Sequence, residues 1–194
     1  MLPADLLLSA YANGWFPMAV GEGEIRWFSP DPRGIFPLDR FHVPRRLARV
    51  IRSGTFTIEI NRSFDTVIRA CAIADRNDDG GTWIDQEIYE SYSALHRAGF
   101  AHSVEAWREG RLAGGLYGVA LGGAFFGESM FHDVTDASKV ALVALVERLR
   151  ARGFSLLDTQ WTTEHLEQFG AIEIPRRRYL ELLSDAIEED CGFV

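Results

Sequence analysis

GGLYGVALGGAFFGESMFHDVTDASKVALVALVERLRARGFSLLDTQ, residues 114–160, carries two strands, a helix and a third strand in one uninterrupted run. Its first part is apolar and glycine-rich, and Gly122-Gly123 divides it into the two strands of a predicted hairpin. From Ala137 to Arg152, apolar residues recur at three- and four-residue spacing, which predicts a helix with one broad apolar face. SLLDTQ, residues 155–160, then predicts a short interior strand parallel to the strand before the helix.

The segments on either side of this passage extend the sheet and supply further helices. HSVEAWRE, residues 102–109, predicts a strand antiparallel to its successor, so that three consecutive strands form a meander. We also predict strands at 55–64 and 171–175, helices at 45–53, 64–74, 85–98, 164–169 and 178–188, and a polar loop at 75–81. Three antiparallel strands, a crossover helix and another central strand predict an α+β fold with a GNAT-like mixed sheet flanked by helices, a likeness of layout only.

The start of the chain is predicted to form a small N-terminal α/β subdomain. Apolar residues recur at helical spacing from Leu2 to Ala12, and Asn13-Gly14 ends that helix. Four prolines and aromatic, strand-like fragments over residues 25–44 favour a compact connector over a regular helix. We therefore place a boundary near Pro37, with the subdomain at 1–37 and the catalytic domain at 38–194.

The composition restricts the class of protein. With 194 residues, 47% of them hydrophobic, the chain can bury one main core without a disulfide framework or a structural metal. Cys71 and Cys191 lack the spacing of a zinc site, and no run approaches a membrane span or a cleavable leader. A net charge of -8 argues against a broad, non-specific polyanion binder. We expect a cytoplasmic monomer that needs no cofactor, metal or membrane.

One basic segment stands out from this acidic background. Arg45, Arg46, Arg49 and Arg52 fall at helical spacing. They are either solvated charges that balance the surplus of acids or an edge that contacts phosphate groups. Their spacing leaves both interpretations open.

Four polar residues interrupt the apolar strands of the passage at 114–160: Glu128, Ser129, Asp158 and Gln160. Each buried polar group without a partner costs roughly 1 to 3 kcal/mol, so the set is either a closed hydrogen-bond network or a site. Asp158 and Gln160 are two positions apart on a strand, so their side chains project to the same face and Asp158 can orient the Gln160 amide. Such a pair either pins a strand to a loop or polarises an amine.

Several common chemistries lack their motifs. The segment HDVTDASKVAL stands where GNAT enzymes carry the glycine-bearing turn that holds the CoA pyrophosphate, which makes acyl-CoA a poor donor. The sequence contains no GxSxG, GxxxxGK[ST] or HExxH motif, and its histidines show no metal-ligand spacing.

A series of ordered motifs resembles the bacterial leucyl/phenylalanyl-tRNA-protein transferases over nearly the whole chain. The motifs are LLSAYANGWFPM, IRWFSPDPRG, TWID, GFAHSVEAWREGRLAGGLYGVALGGAFFGESMF, ASKVALVAL, LLDTQ and HLEQFGAIEIPRRRYL. The resemblance implies transfer of leucine, phenylalanine or methionine from aminoacyl-tRNA to the N-terminal Arg or Lys of acceptor proteins, which marks them for degradation in the N-degron pathway. It also implies a small N-terminal domain, abbreviated here, before a GNAT-like domain.

The resemblance also implies roles for individual residues. Gln160 holds the incoming α-amine and aids its deprotonation, Asp158 orients and polarises Gln160, and Glu128 anchors the aminoacyl end or the amine. Three aromatic residues match those that stack on the terminal adenosine of the tRNA: Trp27, Phe28 and Trp83. Six apolar residues match the pocket for the donor side chain: Leu116, Phe125, Met130, Leu142, Leu145 and Leu157. Four arginines match a patch that contacts the tRNA stem: Arg45, Arg46, Arg49 and Arg52.

Two other functions remain open at this point. The first is a non-catalytic module that binds aminoacyl-tRNA, which binding of the donor without product would favour. The second is a GNAT-type acyltransferase that uses acyl-CoA, which a rise of the melting temperature with CoA would favour.

Overall fold

The computed structural model describes residues 1–21, 23–74 and 82–194. The polar loop predicted at 75–81 lies outside the described residues. The helices are α1 (Ala4–Ala12), α2 (Arg45–Arg52), α3 (Phe64–Ile73), α4 (Gln86–Arg97), α5 (Ala137–Ala151), α6 (Glu164–Glu167) and α7 (Arg176–Ile187). The strands are β1 (Phe16–Ala19), β2 (Ile25–Phe28), β3 (Arg33–Phe36), β4 (Thr57–Ile60), β5 (Ala101–Arg108), β6 (Arg111–Leu121), β7 (Ala124–His132), β8 (Leu156–Gln160) and β9 (Ile172–Ile174).

Within the described part of the chain, the strands form a hairpin and one large mixed sheet. β1 and β2 pair with each other, and the other seven strands lie in the order β4-β5-β6-β7-β8-β3-β9. β7 and β8 run parallel because α5 crosses over between them, whereas the other neighbours in the large sheet are antiparallel. The predicted α+β class, with its meander, crossover helix and parallel central strand, is confirmed.

Each face of the large sheet has its own hydrophobic core. One core includes buried residues of α1, α3, α4 and α7, among them Tyr11, Tyr92 and Tyr179. The other includes the buried side of α5 together with Leu47 of α2 and Phe193 near the C-terminus. None of the helices in the described ranges is long and apolar enough to cross a membrane.

β3 is the main difference from the sequence expectation, which assigned this segment to a connector. Residues 33–36 form a strand between β8 and β9, and all four are buried. Prolines at 30, 32 and 37 flank this strand on both sides and leave its four residues free to pair. The strand was not predicted, because a run of four residues between prolines is too short to show the alternation of a strand.

Candidate active site

β7 carries one extra residue at the position of Glu128. Tyr117 of β6 pairs with Ser129, and the next residue, Gly118, pairs with Gly127, so Glu128 is left over in the register. A bulge of this kind locally re-aims a side chain. Here it breaks the two-residue alternation of β7 at the carboxylate.

β8 carries a second bulge directly opposite this region. Gly34 of β3 pairs with Gln160 and Ile35 pairs with Asp158, which leaves Thr159 over. A Cβ on Gly34 would come within 2.6 Å of the Trp161 backbone, so only glycine permits this close approach. Gln160 itself has a φ of 65°, in the left-handed region.

The two parallel strands separate where these bulges occur. Their ladder runs from Ala124 with Leu156 to Phe126 with Asp158 and extends no further. Glu128 and Gln160 therefore lie just past the end of the ladder. Gln160 Nε2 donates to Glu128 Oε1 over 3.2 Å and bridges the gap.

Glu128 is buried among hydroxyl and amide donors. Tyr11 of α1 donates to Oε1 over 2.7 Å, and Tyr92 of α4 donates to Oε2 over 3.2 Å. The two tyrosine hydroxyl oxygens are also in contact with each other, so the two hydroxyl protons are shared among three contacts. The carboxylate is thus held by two helices that are distant in sequence and by the end of β8.

This environment shifts the pKa of Glu128 from 4.5 to about 7. Burial is the main cause of the rise, because it disfavours the charged carboxylate. Hydrogen bonds from Tyr11, Tyr92 and Gln160 lower the pKa, while the charge of Asp158 raises it. Near neutral pH, Glu128 can therefore both accept and release a proton.

Asp158 contacts Gln160 through the backbone. Its Oδ1 accepts a hydrogen bond of 2.7 Å from the Gln160 amide N–H. Arg33 binds both carboxylate oxygens, with Nε at 3.0 Å from Oδ1 and Nη2 at 2.6 Å from Oδ2. Tyr179 donates to Oδ2 over 2.8 Å. Asp158 therefore orients the chain of Gln160 and not its side-chain amide.

An apolar cavity of about 260 Å³ lies beside this network, on the α5 side of the sheet. Five of the six residues predicted for the donor side chain line it: Leu116, Met130, Leu142, Leu145 and Leu157. Phe125 lies elsewhere and stacks on Phe193 at a centroid distance of 5.1 Å. Glu128 also lines the cavity, so the carboxylate borders both the polar network and the apolar space.

The aromatic residues predicted to stack on a nucleobase surround the β1–β2 hairpin. Trp27 and Phe28 lie on β2, and the backbone carbonyl of Trp83 accepts a 3.2 Å hydrogen bond from Ala19 of β1. Phe28 also belongs to an aromatic group with Trp161, the residue after Gln160, at 6.3 Å. Trp161 is 40% exposed and was not predicted as a site residue.

The four predicted tRNA-contacting arginines lie on α2. Arg45, Arg46, Arg49 and Arg52 are all exposed, while Leu47 of the same helix is buried. Arg46 pairs with Asp136 at the start of α5, over 3.8 Å. α2 therefore presents its basic side to solvent.

Sequence reasoning missed four residues of the polar network: Tyr11, Tyr92, Arg33 and Tyr179. The tyrosines could have been recognised from the sequence, because a buried tyrosine on the apolar face of a helix needs a partner for its hydroxyl. Arg33 could not, since an arginine between prolines resembles a surface residue. In the ranges that the structure describes, no group of three or more His, Cys, Asp or Glu side chains is arranged to hold a metal ion.

The fold and the site together define an α+β protein in which a mainly apolar cavity lies beside a buried carboxylate. Comparison with known proteins gives the family. The model for the leucyl/phenylalanyl-tRNA protein transferase matches residues 35–184, and the model for the N-terminal domain of that family matches residues 1–31. The chain belongs to the leucyl/phenylalanyl-tRNA protein transferase family.

Similar proteins of this name cover nearly the whole chain. The one from Gloeobacter violaceus is 55% identical over 193 residues, which is 99% of this chain and 97% of that protein. The one from Akkermansia muciniphila is 55% identical over 190 residues, 97% of each chain. Among solved structures, L-PGS from Bacillus licheniformis aligns with a TM-score of 0.49 at 14% identity, over 81% of this chain and 65% of that one.

Proposed function

We propose that this protein transfers leucine or phenylalanine, and also methionine, from aminoacyl-tRNA to the N-terminal Arg or Lys of acceptor proteins. The acceptors would then enter N-degron degradation. The observation that carries the proposal is the pairing of Glu128 with Gln160 at the edge of the apolar cavity. In that arrangement a donor side chain occupies the cavity while the α-amine of the acceptor lies at the polar pair.

The chemistry requires positioning more than activation, because the aminoacyl ester is already reactive. The α-amine attacks the ester carbonyl, a C–N bond forms, and the C–O bond to the terminal ribose breaks. The amine loses a proton and the ribose oxygen gains one. Glu128, with its pKa of about 7, accepts the proton of the amine, and Gln160 holds the amine beside it. No cofactor enters this balance.

The cavity supports the proposed choice of donor. Its lining is mostly apolar, with leucines, Met130 and Phe36, and also includes polar residues such as Glu128, Thr159 and His165. Its volume accommodates one side chain of the size of leucine or phenylalanine. A pocket of this kind distinguishes donors by shape, at about 1 to 3 kcal/mol per methyl-sized difference.

The same assignment gives the tRNA two contact regions. Trp27, Phe28 and Trp83 supply aromatic rings for the terminal adenosine, and stacking on such a ring contributes about 1 to 3 kcal/mol per base. The arginines of α2 contact phosphates of the stem, which requires no particular base sequence.

The remaining proposals concern organisation and location. We propose a division of the chain into 1–37 and 38–194. The two family models end at residue 31 and begin at residue 35, and β3 (Arg33–Phe36) belongs to the large sheet, so both observations favour a boundary a few residues before Pro37. We propose that the protein acts in the cytoplasm as a monomer. Light scattering of the purified chain tests the oligomeric state.

A transfer assay tests the proposed function directly. Labelled leucine on tRNA is supplied with peptides that begin with Arg, Lys or a neutral residue, using wild type, Asp158→Ala and Gln160→Ala. We expect label only in the Arg and Lys peptides, and loss of transfer in both variants. Gln168→Ala, at an exposed glutamine in the turn after α6, is the matched control and keeps full activity.

The alternatives predict other outcomes in the same experiment. A binding module retains labelled aminoacyl-tRNA on a filter but forms no peptide product. An acyl-CoA enzyme shows a CoA-dependent rise of the melting temperature. Full activity of both Asp158→Ala and Gln160→Ala contradicts the roles given to these residues.

A further inference from the structure

Arg33 lies at the centre of a fully buried set of contacts. Neither its side chain nor that of Asp158 has any exposed surface. Besides its two bonds to Asp158, Arg33 donates from Nη1 to the carbonyl of Gly14 over 2.9 Å. Its guanidinium also lies over the rings of Phe16 and Tyr179, at 5.0 and 4.4 Å from their centroids. One side chain therefore joins β1, β3, β8 and α7.

The donors around Asp158 leave it no place for a substrate. Oδ1 accepts from Arg33 Nε and from the Gln160 backbone, and Oδ2 accepts from Arg33 Nη2 and Tyr179 Oη. A carboxylate has about four acceptor positions, and protein donors occupy all of them. Any effect of Asp158 on the reaction must therefore pass through Gln160.

Gln160 needs such support because of its backbone conformation. A φ of 65° is unfavourable for a residue with a side chain, so neighbouring contacts have to hold it. The bond from its N–H to Asp158 is one such contact. From this conformation the side-chain amide reaches Glu128, which is the contact that the transfer reaction uses.

We propose that Arg33 is a positioning residue for the transfer reaction, assisted by Tyr179. By fixing both oxygens of Asp158, it holds the Gln160 backbone in the left-handed conformation that places the Gln160 amide on Glu128. The proposal rests on the proposed function. Arginine suits this role, since a lysine supplies the charge but not the two-pronged geometry that binds both oxygens.

The test compares Arg33→Lys with wild type in steady-state transfer. The substitution keeps the positive charge and removes the paired hydrogen bonds. We expect kcat to fall on the order of ten- to a hundredfold, as for a small misplacement of a catalytic group, with KM for both substrates within about twofold. Because the charge near Glu128 is retained, the pH profile of kcat keeps its midpoint. Arg176→Lys, at a half-buried arginine bound to the Ser29 carbonyl over 2.8 Å, is the matched control and keeps its kcat.

The results separate the possible failures. If wild type itself transfers nothing, the proposed function fails. If wild type is active and folded Arg33→Lys keeps its kcat, Arg33 is only structural and the positioning role is overturned. The same holds if KM rises while kcat is unchanged.

A second variant covers the case in which Arg33→Lys does not fold. Tyr179→Phe removes one hydroxyl donor to Asp158 and leaves the ion pair intact. We expect kcat to fall several-fold without a change in KM. Tyr89→Phe, at a half-buried tyrosine of α4, is the control and keeps its kcat. An unchanged kcat in Tyr179→Phe overturns the proposal.

Discussion

At Glu128, the chain combines a buried carboxylate with three donors that oppose the effect of burial. Tyr11, Tyr92 and Gln160 each hydrogen-bond the carboxylate and so favour its ionised form. Their combined effect leaves the pKa at about 7. The two tyrosines thus set the pH at which this group becomes a proton acceptor.

The pH dependence of transfer follows from this balance. If ionised Glu128 accepts the proton of the amine, kcat rises as the pH passes through about 7. Tyr11→Phe removes a hydrogen bond that lowers the pKa, so the rise moves to higher pH. Measurement of kcat between about pH 6 and about pH 9 for both proteins gives the midpoints. A midpoint that moves to lower pH in Tyr11→Phe contradicts this role of the hydroxyl.

Glu128 also links the stability of the fold to pH. Its pKa is higher in the folded chain than in the unfolded chain, so the folded state binds more protons between about 4.5 and about 7. The contribution is fully present below 4.5 and is lost as the pH rises through 7. Relative to Glu128→Gln, we expect wild type to lose roughly 3 kcal/mol of unfolding free energy over this range. Denaturant titrations at the two ends of this range measure the free energy of unfolding of both proteins. A wild type that becomes more stable relative to Glu128→Gln as the pH rises would contradict the prediction.

The sequence was sufficient to single out some site residues and not others. Glu128, Asp158 and Gln160 stand out because they interrupt apolar strands, and the structure brings all three into one network. Arg33 does not stand out, because its partner Asp158 is 125 positions away and only the sheet brings them together. The use of the Gln160 backbone was also not predictable, since the bulge at Thr159 changes the local alternation.

Among the elements, α2 is the one for which we propose a contact with tRNA, because its arginines are exposed. Its buried side contributes Leu47 to the core, and its arginines extend outward. Arg46 is paired with Asp136, whereas Arg45, Arg49 and Arg52 are exposed and form no ion pair with any residue of the described ranges.

Replacing these three arginines by glutamine should weaken tRNA binding without changing the chemistry. Each phosphate contact contributes a slope of about 0.7 to 0.9 to the dependence of log K on log salt concentration. We expect a higher KM for aminoacyl-tRNA, a reduced salt slope and an unchanged kcat. Arg177→Gln with Arg178→Gln is the control, because these exposed arginines of α7 pair with Glu181. An unchanged salt slope in the α2 variant excludes the contact.

The elements differ in how well the sequence predicted them. The meander, α5 and β8 were predicted because their apolar periods are long or their turns contain glycine. β3 was not, because four residues between prolines give no period to recognise. Its place beside β8 depends on tertiary pairing, which a local pattern does not contain.

On the scale of the whole molecule, the two faces of the large sheet hold different parts of the candidate site. The face with α1, α4 and α7 holds the polar network, and the face with α5 holds the apolar cavity. The end of the chain closes the second face away from the cavity. There Phe193 is 4% exposed, stacks on His102 at 4.4 Å, and its carbonyl accepts a 2.6 Å hydrogen bond from Arg148.

Loss of this closure should lower stability while sparing catalysis. Phe193→Ala removes a buried ring and should cost about 3 kcal/mol. For a chain of this size that corresponds to a fall of the melting temperature of about 6 to 12 °C. At a temperature where the variant is folded, kcat should equal that of wild type. Val194→Ala, at a residue that is 65% exposed, is the control and should melt like wild type.

The bulge in β7 has a consequence for how related sequences can differ in length. Because one unpaired residue separates Gly127 from Ser129 in the register, deletion of a single residue there restores regular alternation and turns the carboxylate away. An insertion there instead moves every side chain that follows in β7 to the opposite face of the sheet. Relatives that keep transfer activity should therefore concentrate their insertions and deletions in the turns and conserve the number of residues between Ala124 and His132.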